Sequence, residues 1–258
     1  MITSGKGAGV REPDAAKVGD GVAAHRRPMD PASSGPYFMG LFLTALVAFW
    51  PSYLSQLGSN GVYTHVHAVL ATAWIFMLIG QPMLIRRRRR DLHRLLGVAS
   101  YGLAPLVVLS IVLLAHSRIA DVPPEAFSRR SYVLFLQTSL AVMFTVSYAM
   151  AVRHKRDMAV HARFMICTGF TLIDPVLIRL LGALDLSVPF NAQWITFGAT
   201  DAVILALVWF DRGARRGGWV FRVMLPIFVL SQLPALLGLT DAAPWQAFAR
   251  WFAGLPLT

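Results

Sequence analysis

Apolar runs of about 20 residues, the length of helix that crosses a bilayer core, recur seven times along this 258-residue chain. Nearly every charge falls between them. Only 14% of residues are charged and 56% are hydrophobic, whereas a soluble chain of this length carries about 25% charged residues. A transmembrane β-barrel would instead show ten-residue segments of alternating polarity, and none is visible. The pattern predicts an all-α, polytopic membrane helix bundle of about seven transmembrane helices.

The runs cover roughly 37–57, 62–85, 92–116, 132–152, 158–184, 191–210 and 220–239. Residues 1–36 contain no apolar run and read as a disordered, solvated tail, not a secretory signal peptide. The domain then spans 37–239, with 62–184 as its four-helix core. The closing stretch, 240–258, is too short and polar to cross. Its Trp245, Phe248, Trp251 and Phe252 recur at helical spacing, so it reads as an interfacial, amphipathic aromatic anchor.

Arg86 to Arg90, five arginines in a row, close the second run. The tail and the loops after the second, fourth and sixth runs hold 19 of the 24 Lys and Arg, the opposite side only four. By the positive-inside rule the N-terminus is cytoplasmic and the C-terminus outside. The predicted setting is a bacterial-type cytoplasmic (inner) membrane. The net charge of +11 is thus explained by anionic headgroups. With no soluble basic domain, nucleic-acid binding is not expected. A single cysteine, Cys167, excludes a disulfide framework and a cysteine metal site.

Two basic loops enter the next run through similar phrases: Arg90-Asp91-Leu92-His93, and Arg156-Asp157 followed by His161. Both returning runs carry a proline, Pro105 and Pro175. Read as two parallel hairpins, the second to fifth runs place the third and fifth diagonally. The motifs HxHxxxxxxWxxxxxxQ (His65 to Gln81), HRxLG (from His93) and KRDxxxHxRFM (from Lys155) resemble a bacterial multi-pass membrane family of no established activity, the DUF2306-like group. The similarity covers roughly residues 60–185. Histidines at the ends of a four-helix membrane core also resemble cytochrome b561-type proteins, which implies haem held between paired histidines. The fourth run departs from that pattern, having no histidine at its outer end.

Candidate chemistry falls at three levels. His93 and His161 each lie in the first turn of a returning run, so on diagonal helices they face each other as possible axial ligands of a haem b iron. Arg94, Arg163 and the arginine run are then available to its propionates. Near the other end, His65 and His67 lie about 200° apart on a helix, so one at most faces inward. His67 leads a stripe through Trp74 and Gln81, and a hairpin centred near residue 91 brings it level with His116, a second metal or haem site. No third ligand beyond His65 completes a closed zinc site.

Within the bilayer, Asp174, Arg179 and Asp201 are the remaining charges. A lone charge there costs about 3 kcal/mol or more, so each needs a partner or a proton. A hairpin centred between the fifth and sixth runs sets Asp174 and Asp201 at equal depth, with Arg179 a turn and a third further out. The residues support three readings: a haem b electron-transfer protein with its redox partner, a proton-coupled carrier or small-molecule binding protein centred on these charges, and an accessory subunit of a membrane complex. No nucleotide loop, Ser/His/Asp order or HExxH motif is present.

Overall fold

A computed structural model describes residues 29–186 and 192–258. Most of the tail expected over 1–36, and residues 187–191 of the expected turn and following run, lie outside the described residues. The helices are α1 (Gly35–Phe49), α2 (Val62–Arg86), α3 (Arg90–Ser117), α4 (Pro124–Arg153), α5 (Met158–Phe170), α6 (Ile173–Ala183), α7 (Ala192–Phe210), α8 (Trp219–Leu236) and α9 (Ala243–Ala253). With α5 and α6 taken as one span, seven are long and apolar enough to cross a membrane, and no strand occurs among the described residues. The chain is a multi-pass helical membrane bundle. Its α2–α3, α4–α5 and α7–α8 connections share one end, here called the basic end. The opposite, far end carries α9.

Seven helices close a ring in the order α1, α2, α3, α4, α8, α7 and α6, and α5 runs through its middle. The sequence of α5 explains that place. Eight of its 13 residues are buried, on all sides of the helix, as befits an element surrounded by others. The core joins Trp74, Phe144 and Phe164 to Phe38 of α1 and Phe221 and Phe228 of α8, so it extends beyond 62–184. Trp74 is fully buried. It packs edge-on against Phe144 and Tyr148 and donates to Thr168 Oγ1 at 3.2 Å, tying α2 to both α4 and α5. Phe38 lies so close to Gly169 that a Cβ there would clash with its ring. Glycine is what lets α1 approach the hub.

The fifth span is not one helix. Pro175 has no N–H for the Thr171 carbonyl, and its ring crowds that carbonyl. The helix stops at Phe170, and α6 restarts at Ile173. Pro82, Pro105, Pro226 and Pro234 sit inside unbroken helices. Past the break, α6 leaves the middle and takes its place in the ring between α1 and α7.

The fourth span is longer than the apolar run suggests. It begins at Pro124, a residue favoured in the first turn because its missing N–H would be unpaired there anyway, and its first turns carry exposed Arg129 and Arg130. Helix α9 lies over the far end, with Phe252 and Ala249 packed on Ala115, Ile119 and Leu134. Trp245 Nε1 donates to the Ser131 carbonyl at 3.2 Å.

Candidate functional site

The break in the fifth span positions Asp174. It falls in the first turn of α6 and is 5% exposed. Its Oδ1 accepts from Gln193 Nε2 and from Thr196 Oγ1, both at 2.5 Å and both from the start of α7. Gln193 also donates to Thr196 Oγ1 at 3.0 Å, and Thr200 Oγ1 donates to the Thr196 carbonyl at 2.9 Å. The positive end of the α6 dipole faces the same carboxyl. Neutral donors and a helix terminus therefore surround it. Among the described residues no cation comes within ion-pair distance.

A cavity of about 20 Å³ opens beside Asp174, lined by Ser139, Thr200, Ser231 and Gln232 among others. One water needs roughly 10–15 Å³ and two to four polar partners, so this space takes a single water. Gln232 is the link onward, since its Nε2 donates to Asp201 Oδ1 at 3.0 Å.

Asp174 and Asp201 are therefore not level neighbours, as the hairpin reading has it. Asp174 is bound five to eight residues nearer the start of α7 than Asp201, because α6 is displaced relative to α7. Arg179 bonds neither carboxylate. It donates to the Pro175 carbonyl at 3.0 Å, and its guanidinium carbon lies 4.6 Å over the Phe49 ring.

His67 and His116 are not brought together either. His67 Nδ1 pairs with Ser110 Oγ at 3.0 Å. His116 lies six residues further along α3, about 9 Å of helix rise, where its Nδ1 pairs with Thr258 Oγ1 at 2.6 Å and its ring meets Phe252. His65 pairs with Tyr53 at 3.0 Å. Each far-end histidine thus has its own partner at Nδ1, and His116 Nε2 is buried with none among the described residues.

At the basic end, His93 and His161 start α3 and α5 and lie within electrostatic range of each other. His161 Nδ1 bonds the Ala151 carbonyl at 2.8 Å, which leaves Nε2 for a ligand. His93 Nδ1 is buried with no hydrogen-bond partner among the described residues. Arg163 does not fit the propionate role. It is 3% exposed and spends its guanidinium on Asp211, 0% exposed, through Nε–Oδ2 at 2.6 Å and Nη2–Oδ1 at 2.7 Å. Its Nη1 donates to the Ala159 carbonyl at 2.7 Å. Gly217, at φ 75°, passes close enough that a Cβ would meet that carbonyl at 2.8 Å and Nη1 at 3.0 Å. This buried ion pair fastens the hub helix to the α7–α8 connection. The only signal for it in sequence is an arginine inside an apolar run and an aspartate at the same end of another.

No family model, curated protein or solved structure matches the chain.

Proposed function

We propose that this protein is a proton-coupled carrier or small-molecule binding protein of a bacterial-type cytoplasmic membrane, with Asp174 as its proton-exchanging group. The observation that carries the reading is a carboxyl buried at a helix break whose hydrogen-bond donors, among the described residues, are all neutral. A discontinuous span whose half-helix terminus faces a polar group is a recurrent way to build a binding site inside a membrane.

The surroundings suit both protonation states. As a carboxylate, Asp174 accepts from Gln193 and Thr196 and is favoured by the α6 dipole. As a carboxylic acid it becomes a donor, and the Thr196 hydroxyl, which both donates and accepts, reverses its role with little movement. A water in the adjoining cavity gives the proton a route toward Ser139 and Ser231. Gln232 couples that water electrostatically to Asp201. Exchange thus requires only rotation of hydroxyls and of one water, without unpacking the hub.

The test is pH-gradient-driven solute uptake in reconstituted vesicles. Asp174→Asn keeps the shape and the Gln193 contact but cannot exchange a proton, so coupled uptake is lost while insertion and helicity are retained. Unchanged uptake would refute the assignment.

The placement of His93 and His161 in the first turns of α3 and α5, at the same end of the bundle, favours a second reading, in which they hold a haem b as axial ligands. Bound haem would supply one-electron chemistry. The chain's own part would be to fix the His161 ring through the Ala151 carbonyl. Protein expressed with haem supplied should then show a Soret band that changes in His161→Ala. No band, or an unchanged one, excludes this reading.

A further inference from the structure

Helix α4 borders two separate spaces. Leu136, Ser139 and Leu140 line the small cavity beside Asp174. On another side, between α3 and α4, lies a larger crevice of about 530 Å³. It runs from Ala115 and Leu134 near the far end to Val108 and Val146 deeper in the bundle, and α9 closes its top with Trp251 and Phe252. The chain itself fastens this roof. Phe252 and Ala249 pack on Ala115, Ile119 and Leu134, and Gln246 Nε2 donates to Ser131 Oγ at 3.0 Å. The crevice opens outward, where Val142 is 54% and Trp251 60% exposed.

Water does not suit this space. A buried water needs about two to four polar partners, and the only polar side chains in the lining are those of Thr138 and Thr145. Thr145 Oγ1 already donates to the Ala141 carbonyl at 2.7 Å. An unfilled void forfeits the contacts of its walls, so within a bilayer hydrocarbon enters it. The dimensions say what form that hydrocarbon takes. From Leu134 to Val146, α4 rises about 18 Å, a little over half of a bilayer core of ~30 Å. Spread over that length, the volume gives a mean cross-section of about 30 Å², whereas a helix about 10 Å across needs about 80 Å². A single chain of one leaflet fits, and a partner helix does not.

The roof also carries a charge suited to a headgroup. Arg250 is exposed on α9 beside Trp251, and its guanidinium carbon lies 6.0 Å over the ring of Phe127, which packs on the Ala115, Leu134 and Phe252 cluster. Among the described residues Arg250 forms no ion pair. Guanidinium takes phosphate oxygens through paired N–H groups. We propose that the α3–α4 crevice binds one acyl chain of a phospholipid of the far leaflet, with the lipid phosphate at Arg250. This site is separate from Asp174 and does not depend on proton exchange there.

The experiment is photo-cross-linking of the full-length protein in phosphatidylcholine nanodiscs. A fraction of the phosphatidylcholine carries a diazirine midway along one acyl chain, and the adducts are mapped by mass spectrometry after proteolysis. Val203 and Leu205, exposed on α7, report ordinary lipid contact. Adducts on the crevice residues of α3, α4 and α9 should be several-fold denser than those on α7. Val142→Trp fills the crevice from its open side and should lower its adducts to the α7 level. Thr138→Phe serves the same purpose should Val142→Trp not fold. Arg250→Gln should also lower the crevice adducts while leaving those on α7 unchanged. Crevice adducts no denser than those on α7, or undiminished in the filled variants or in Arg250→Gln, would overturn the proposal. Absent crevice adducts together with paired copies in each nanodisc would give the crevice to a second copy of this chain, which overturns it equally.

Discussion

Removing Asp211 should be among the most damaging single changes outside the candidate site. Its carboxylate holds two nitrogens of Arg163 at 2.6 and 2.7 Å, and neither residue is more than 3% exposed. In Asp211→Ala the guanidinium stays buried with only the Ala159 carbonyl as partner. Breaking a buried pair from one side costs about 3–5 kcal/mol, since a charge is left uncompensated. At about 2–4 °C per kcal/mol for a bundle of this size, the melting temperature should fall by roughly 6–20 °C. Replacing both residues by apolar ones, as in Arg163→Met with Asp211→Leu, removes the charge as well as its partner. That double variant should recover most of the loss, because a buried pair contributes little relative to well-packed hydrophobes. Thermal unfolding in detergent, followed by intrinsic fluorescence and compared at fixed pH and detergent, measures all three proteins. A single variant within about 1 kcal/mol of the parent, or a double variant worse than the single, would refute the assignment of Arg163–Asp211 as a buried fastening of the hub.

Gly169→Ala should force the Phe38 ring out of its seat, at about 1–3 kcal/mol of overpacking, and lower the melting temperature in the same assay. Trp74→Ala removes the side chain that ties α2 to α4 and α5, and a loss of about 3–5 kcal/mol is expected; a loss below about 1 kcal/mol would mean the hub is held elsewhere. Pro175→Ala restores an N–H facing the Thr171 carbonyl. It should extend α5 across the break and abolish coupled uptake without loss of stability, and retained uptake would show that the break is dispensable.

The seven crossings are legible in sequence because their signal is local, a matter of apolar length and of basic residues gathered between runs. Asp174 and Asp201 are legible for a similar reason, as charges where charge is expensive. Partner choice is not legible, because it depends on register and helix direction. The hairpin reading sets His67 against His116, but the helices meet at Ser110, six residues away. Proline position alone does not reveal the broken span either. Pro105 and Pro175 hold similar places in their runs, yet only Pro175 ends a helix, at the point where the following segment finds a place between α1 and α7. Arg163 and Asp211 lie 48 residues apart, one of them in a loop, and only the folded bundle joins them.

The central claim is that Asp174 gains and loses a proton in the membrane. Infrared difference spectra of the lipid-embedded protein, recorded as the bathing pH is stepped, report it without any knowledge of the substrate. A protonated-carboxyl C=O band should weaken as pH rises, vanish in Asp174→Asn and persist in Asp201→Asn. Identical difference spectra for the parent protein and Asp174→Asn would contradict the account.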